Sequence, residues 1–180
     1  AHIELILKHK VGTVINSAGN PATYTPMFKE KGIKVIHVVA NRKFAEKAQA
    51  AGCDAVVTEG FEAGGHNGRE ETTTMVLVPL IRSVVDIPVI AAGGIATGRQ
   101  MLAAMALGAE GVQIGSRFVA SEEASSHLNF KNAIIESKEG DTVLTLKELI
   151  PVRLIKNKFY DDITEAYQKG ASRSDLLALL

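Results

Sequence analysis

Short apolar runs rich in β-branched residues alternate with longer amphipathic runs over the first two thirds of the chain. Four apolar runs are predicted to be strands, at residues 11–17, 33–40, 53–60 and 87–94, and residues 109–118 are predicted to contain a fifth. Each amphipathic run is predicted to be a helix: residues 23–31, 44–52, 75–85 and 98–108. The strands are apolar at successive positions rather than at alternate ones, which is typical of a parallel sheet covered by helices.

Five strand–helix units in succession predict an α/β fold with repeated right-handed crossovers. A closed TIM (β/α)8 barrel needs eight strands, so the sequence predicts part of such a barrel, with an open five-stranded sheet as the alternative. After about residue 120 the pattern changes to helix alone. We therefore predict a partial barrel with a phosphate site over residues 1–120, and a helical insertion or lid over residues 121–180.

Composition excludes several functional classes. Lys plus Arg and Asp plus Glu both count 20, so no net charge attracts nucleic acid or an anionic membrane. The chain has no apolar run of 18 residues, and its apolar fraction of 46% indicates a folded protein. Cys53 is the single cysteine, which fits a reducing, cytoplasmic setting. The expected partners are a small-molecule substrate and, as a candidate assembly, a second copy of the chain.

The segment AAGGIATGRQ (91–100) ends the fourth predicted strand and opens a helix. Gly93 and Gly94 allow close approach of the backbone to a ligand, and their N–H groups together with the helix dipole favour an anion. A tight turn without a ligand is the alternative.

The segment GVQIGSRF (111–118) ends the next strand in the same way. Gly115, Ser116 and Arg117 follow the strand, and barrel enzymes commonly bind phosphate on the loops after two such neighbouring strands. Arg117 is equally a candidate for a rim charge. Gln113 either faces a ligand ring or is an interior glutamine with hydrogen bonds of its own.

The longest loop, EGFEAGGHNGREETTT (59–74), also follows a strand. It places His66 behind Gly65 on a flexible backbone, where a neutral imidazole can take a proton or position a substrate. A solvated histidine is the alternative. Glu59 and Glu62 either orient His66 or are solvated, and the loop lacks the spacing of metal ligands, so no metal is predicted.

Other candidates have weaker patterns. Asn16, Ser17 and Gly19 follow the first strand and join the same edge of the sheet, or form an Asn-Pro turn. His37 is predicted to be a core histidine with its hydrogen bonds satisfied, and Cys53 a packing residue. The remaining histidines are predicted to lie on the surface: His2, His9 and His127.

Three segments together carry a family resemblance: EGFEAGGHNG, IPVIAAGGIATGR and ALGAEGVQIGSRFVASEE. They resemble the nitronate monooxygenases, formerly called 2-nitropropane dioxygenases, and the related FMN-dependent enoyl-ACP reductases. The resemblance extends from NSAGNP to the helical tail. It implies a TIM barrel that carries FMN, of which the chain contains about five C-terminal units, while the family's first three strands precede Ala1 and its last segment follows Leu180.

The resemblance also implies roles for particular residues. The residues implied to bind FMN are Gly93, Gly94, Gly115 and Ser116 at its phosphate, and Ser17, Gly65 and Gln113 elsewhere at the site. His66 matches the histidine of the EAGGH motif, which is placed beside the flavin as a base or substrate-positioning group. The implied activity is FMN-dependent oxidation of alkyl nitronates by oxygen. NAD(P)H-dependent enoyl-ACP reduction and a non-catalytic half-barrel that binds FMN or phosphate are the alternatives.

Overall fold

The structure is a computed structural model that describes residues 2–179. Five parallel strands form its main sheet: β1 (Thr13–Asn16), β2 (Lys34–Val39), β3 (Ala55–Glu59), β5 (Val89–Ala92) and β6 (Gly111–Gln113). All five predicted strands are confirmed. The domain limits predicted at residues 1 and 180 lie outside the described residues.

Helices connect these strands as predicted. After α1 (His2–Lys8) they are α2 (Thr25–Glu30), α3 (Arg42–Ala50), α4 (Thr74–Arg82) and α5 (Gly98–Ala106), with a 3-10 turn at Pro21–Thr23. Asn20 accepts a hydrogen bond from the Ala22 N–H at 3.2 Å, which confirms the Asn-Pro turn. Helix α1 is an addition to the predicted elements. None of the described helices is both long and apolar enough to cross a membrane.

The strand order is β1-β2-β3-β5-β6, so each strand pairs with the next main-sheet strand along the chain. Right-handed crossovers between sequential neighbours place their helices on one face of the sheet. Side chains on that face are buried: Val35 and Val39 of β2 pack in one cluster with Phe28 of α2 and Leu77 of α4. Burial of each such side chain contributes roughly 1.5–3 kcal/mol.

The opposite face of the sheet is less covered. Ile15 is 55% exposed, and Ile36 and Val38 are half-buried, although all three are apolar. In a closed barrel this is the face that packs the interior side chains. The sequential strand order and this apolar second face are those of a barrel segment rather than of a doubly wound sheet, whose strand order reverses.

The prediction of helix alone after residue 120 is wrong in part. Helices are present: α6 (Ser116–Val119), α7 (Leu128–Glu136), α8 (Lys158–Gln168) and α9 (Arg173–Ala178). Between them, however, β7 (Thr142–Thr145) and β8 (Val152–Ile155) form an antiparallel hairpin. Pro151 and β-branched residues at 142, 143, 152 and 155 favour extended backbone over helix.

The same hairpin corrects the prediction of a flexible loop at residues 59–74. β4 (Gly65–His66) pairs antiparallel with β8, so the order in this second sheet is β4-β8-β7. His66 therefore lies on a hydrogen-bonded strand opposite Val152. The C-terminal segment has an apolar cluster of its own, which contains Leu146, Ile163 and Leu176.

Candidate functional site

A cavity of about 870 Å³ lies at the carboxyl ends of β3, β5 and β6. Its floor is formed by the ends of these strands, because Glu59, Ala92 and Gln113 are register partners at one level of the sheet. Its walls are the loops that follow the three strands, together with α7 and the β7–β8 hairpin. This size is within the range of roughly 300–1,000 Å³ that small-molecule sites occupy.

The turn after β5 has a backbone conformation suited to an anion. Gly93 and Gly94 have φ values of +99° and +68°, which side-chain-bearing residues rarely adopt. A Cβ on Gly93 would lie 2.7 Å from the Gly60 carbonyl oxygen, so only glycine fits there. Among residues 2–179, no group accepts a hydrogen bond from the N–H of Gly93 or Gly94.

The first turn of α5 is closed by its own side chains. Thr97 and Gln100 form a capping box, and the Gln100 Oε1 atom accepts from the N–H groups of Ala96 and Thr97 at 2.9 and 3.0 Å. These two amides are therefore not available to a ligand. The amides left free to donate to an anion are therefore those of Gly93 and Gly94, which precede the helix, rather than those of its first turn.

The loop after β6 reaches the same cavity. Gly115 and Ser116 line the cavity beside Arg117, which is exposed on α6. β5 and β6 are adjacent parallel strands, so the two loops emerge side by side at one edge of the sheet. An anion between them would meet glycine amides from one loop and a serine hydroxyl from the other.

The loop after β3 is held against the C-terminal hairpin by polar contacts. The Asn67 N–H donates to the Pro151 carbonyl oxygen at 2.8 Å. The Arg69 guanidinium donates to the carbonyl oxygens of Lys147 and Leu149 at 3.2 and 2.6 Å. The loop and the hairpin consequently form one wall of the cavity.

Charges of both signs line the cavity. Glu59 is half-buried at the carboxyl end of β3, and burial raises the pKa of its carboxyl group. Arg153, Lys156 and Arg117 provide positive charge on the hairpin side and beside the β6 loop. Within the part of the chain described, no group of three His, Cys, Asp or Glu residues is placed to hold a metal ion.

The structure brings most of the predicted site residues together. Those that line the cavity are Gly65, Gly93, Gly94, Gln113, Gly115 and Ser116. His66 is exposed and is the neighbour of Gly65, although it is not itself part of the cavity wall. Ser17 is exposed at the end of β1, and the strand order places it at the opposite side of the sheet from β6.

The structure also tests the predictions made for His37, Cys53 and Glu62. His37 is a core residue, 4% exposed, but its Nδ1 atom has no hydrogen-bond partner within residues 2–179, so the predicted satisfaction is wrong for that atom. Cys53 is buried as predicted and lies 3.6 Å from the Thr25 hydroxyl. The Glu62 carboxylate accepts hydrogen bonds from the Thr74 N–H, so it is bound to the start of α4 rather than to His66, and it remains partly exposed in the cavity wall.

The sequence prediction missed two residues that build the site. Thr74 contacts the β5 turn from the start of α4, and Arg153 lines the cavity from β8. The segment TTT (72–74) marks a helix start, but nothing in it distinguishes Thr74 from Thr73. Arg153 lies in a segment predicted to be helical, where its contact with the β3 loop was not foreseeable.

The fold and the cavity define a class: a parallel βα-barrel protein with a glycine turn of unpaired amides at the carboxyl ends of its strands. Residues 1–175 match the family model described as nitronate monooxygenase, and the chain belongs to that family. The resemblance that the three sequence motifs carried is confirmed.

Individual relatives support membership of this family. The chain is 40% identical over 176 residues to a protein of Staphylococcus saprophyticus named "Probable nitronate monooxygenase", covering 91% of this chain and 49% of that protein. FabK from Thermotoga maritima is 47% identical with a TM-score of 0.87, over 93% of this chain and 53% of its own. A nitroalkane oxidase from Streptomyces ansochromogenes is 29% identical with a TM-score of 0.78, over 89% and 49%.

The chain thus spans about half the length of the relatives it matches. Its five parallel strands and their helices correspond to part of the TIM barrel that these proteins contain. The predicted fold class is confirmed.

Proposed function

We propose that the protein is an FMN-dependent oxidoreductase that oxidises alkyl nitronates with molecular oxygen. Membership of the nitronate monooxygenase family supports the reaction class. The observation that carries the proposal is the pair of adjacent loops after β5 and β6, with the unpaired amides of Gly93 and Gly94 opening onto one cavity.

The residues present fit FMN. Gly93 and Gly94 would donate their N–H groups to the phosphate, and Gly115 and Ser116 would close on it from the neighbouring loop. Gln113, one level further into the barrel, would lie toward the ring, as would Gly65 from the opposite wall. Ser17 is assigned to the site by the resemblance alone, since β1 lies at the opposite edge of the sheet from β6. Bound FMN supplies the redox chemistry, taking electrons from the nitronate and passing them to oxygen.

His66 is proposed as the base or substrate-positioning group. Its strand pairing with Val152 fixes its backbone, and its exposed imidazole lies one residue from the cavity wall. An imidazole can act as a general base, which suits a substrate whose reactive carbon is acidic. Arg153 and Lys156 on the hairpin would favour an anionic substrate such as a nitronate.

NAD(P)H-dependent enoyl-ACP reduction is the second candidate function. The observation that favours it is the 47% identity to FabK from Thermotoga maritima. The two activities differ in the reductant of the flavin, which is a nitronate in one reaction and a nicotinamide nucleotide in the other.

An anaerobic reduction experiment on the intact protein tests both functions. Purified protein is expected to be yellow with one FMN per chain, and its flavin to be bleached by propyl nitronate faster than by NADH or NADPH. Faster bleaching by a nicotinamide nucleotide would assign the reductase activity instead. A colourless folded protein that does not take up added FMN would refute the flavin site.

A further inference from the structure

Thr74, the first residue of α4, contacts the back of the β5 turn. Its hydroxyl lies 2.8 Å from the carbonyl oxygen of Gly93 and 3.1 Å from that of Ala92. The Ala92 carbonyl also accepts from the Gly60 N–H at 3.0 Å. A hydroxyl donates a single proton, and the shortest contact assigns it to the Gly93 oxygen, while the Gly60 N–H holds the Ala92 oxygen. Both peptide units that precede the glycine amides are thus held by their oxygen atoms.

The direction of the two glycine amides follows from these contacts. In a trans peptide the N–H points away from the carbonyl oxygen of the same unit, and the described chain contains no cis peptide bond. Because the oxygen atoms of Ala92 and Gly93 point to Thr74, the N–H groups of Gly93 and Gly94 point to the opposite side. Thr74 thus fixes the orientation of the Gly94 N–H, and the Gly60 N–H fixes that of the Gly93 N–H, without either residue touching the two donors.

Glu62 fixes Thr74 in turn. Its carboxylate accepts from the Thr74 N–H at 3.0 and 3.2 Å and lies 3.1 Å from the Thr74 hydroxyl. The N-cap residue Thr73 makes no side-chain hydrogen bond to the helix, so Glu62 takes over the capping role. A carboxylate at a helix start is stabilised by the helix dipole, which offsets its negative charge beside an anion site.

The contacts are tightly packed. A Cβ on Gly93 would lie 2.9 Å from the Thr74 hydroxyl, and one on Gly60 would overlap Thr74 and Glu62. Thr74 is 9% exposed. The hydroxyl therefore has little room to move away from the turn.

We propose that Thr74 is a positioning residue for phosphate binding: through the Gly93 carbonyl it aims the Gly94 amide, beside the Gly93 amide that Gly60 orients, at the phosphate of FMN while making no contact with the cofactor itself. This inference rests on the proposed function. It implies that the hydroxyl of Thr74 contributes to affinity only through the phosphate group.

Comparison of FMN with riboflavin, which lacks the phosphate, isolates that contribution. Dissociation constants for both flavins are measured by quenching of flavin fluorescence on the intact wild-type protein and on Thr74→Val, which replaces the hydroxyl by a methyl group. We expect Thr74→Val to weaken FMN about tenfold, the effect of one lost hydrogen bond, and to leave riboflavin affinity within twofold. Thr74→Ser, which keeps the hydroxyl, is expected to restore FMN affinity.

Thr73→Val is the matched control, because it makes the same change one residue earlier where no capping bond is lost. Unchanged FMN affinity in Thr74→Val, or an equal loss for both flavins, would overturn the inference while leaving the proposed function intact. If wild-type protein binds neither flavin, the proposed function fails and the inference with it. If Thr74→Val does not fold, Thr74→Ala removes the hydroxyl without adding bulk. The ratio of its FMN affinity to its riboflavin affinity then tests the inference in the same way.

Discussion

The guanidinium of Arg153 lies over the ring of Phe61, 5.2 Å from its centroid, and donates through Nε to the Phe61 carbonyl oxygen at 3.0 Å. The two residues are 92 positions apart in sequence. Phe61 begins the loop that carries His66, and Arg153 lies on β8 opposite Gly65. Through this pair the C-terminal hairpin determines where the histidine-bearing loop lies.

Replacement of Arg153 is expected to loosen that loop. Arg153→Met keeps a long apolar side chain but removes the donor and the cation above the ring, each worth about 1 kcal/mol. We expect faster hydrogen exchange at the amides of residues 61–67, with little change in the strands β1 to β3. Arg173→Met, at an exposed position of α9, is the control. Unaltered exchange at residues 61–67 would show that the strand pairing alone holds the loop.

Replacement of His66 separates cofactor binding from turnover. His66→Ala is expected to retain FMN, because His66 does not line the cavity, and to slow nitronate oxidation by about 10²-fold or more, as loss of a general base does. Steady-state kinetics with propyl nitronate and flavin absorbance provide the two measurements. His9→Ala is the surface control. Wild-type turnover in His66→Ala would leave His66 without a catalytic role.

A negative charge introduced at the turn after β5 is expected to abolish retention of FMN. Gly94→Asp places a side chain on a backbone with φ of +68°, where its Cβ would lie 3.1 Å from the Glu62 Cβ, and adds a negative charge at the proposed phosphate site. The protein is expected to purify without flavin, as its absorbance spectrum would show. Gly12→Asp, in open space before β1, makes the same change away from the cavity. Retention of FMN at wild-type affinity by Gly94→Asp would refute this placement of the phosphate.

His37 makes stability depend on pH. Burial lowers the pKa of its imidazole below the ordinary value of 6.5, so the unfolded state takes up the proton before the folded state does. The free energy of unfolding should therefore fall as pH drops below 6.5, by up to about 1.4 kcal/mol per pH unit until the folded pKa is reached. Urea denaturation at pH 7.5 and 5.5 measures this fall.

His37→Gln removes the titrating group and should flatten that pH dependence relative to wild type. His9→Gln, at an exposed position, should leave the dependence unchanged. An equally steep decline in His37→Gln would assign the acid sensitivity to other groups.

Local pattern was enough to predict the barrel elements. The runs at residues 33–40 and 87–94 are apolar at successive positions, and Gly52 and Gly108 follow the ends of α3 and α5. Such signals are visible in the sequence because the periods of strands and helices involve residues that are close along the chain. The glycine turns at 93–94 and 115 were likewise visible as local sequence. Residues 142–155 were not predictable in this way, since a short apolar run there fits a helix or a strand.

The sequence by itself determined the α/β fold class, the five strands and the two loops that open onto one cavity. Only the tertiary structure decided that β4 pairs with β8, that Arg153 holds Phe61, and that Thr74 and Glu62 support the back of the Gly93–Gly94 turn. The physical reason is the separation along the sequence over which each interaction acts. Periodicity and turn chemistry act between near neighbours, whereas these contacts join residues 12 to 92 positions apart and form only when the whole chain has packed.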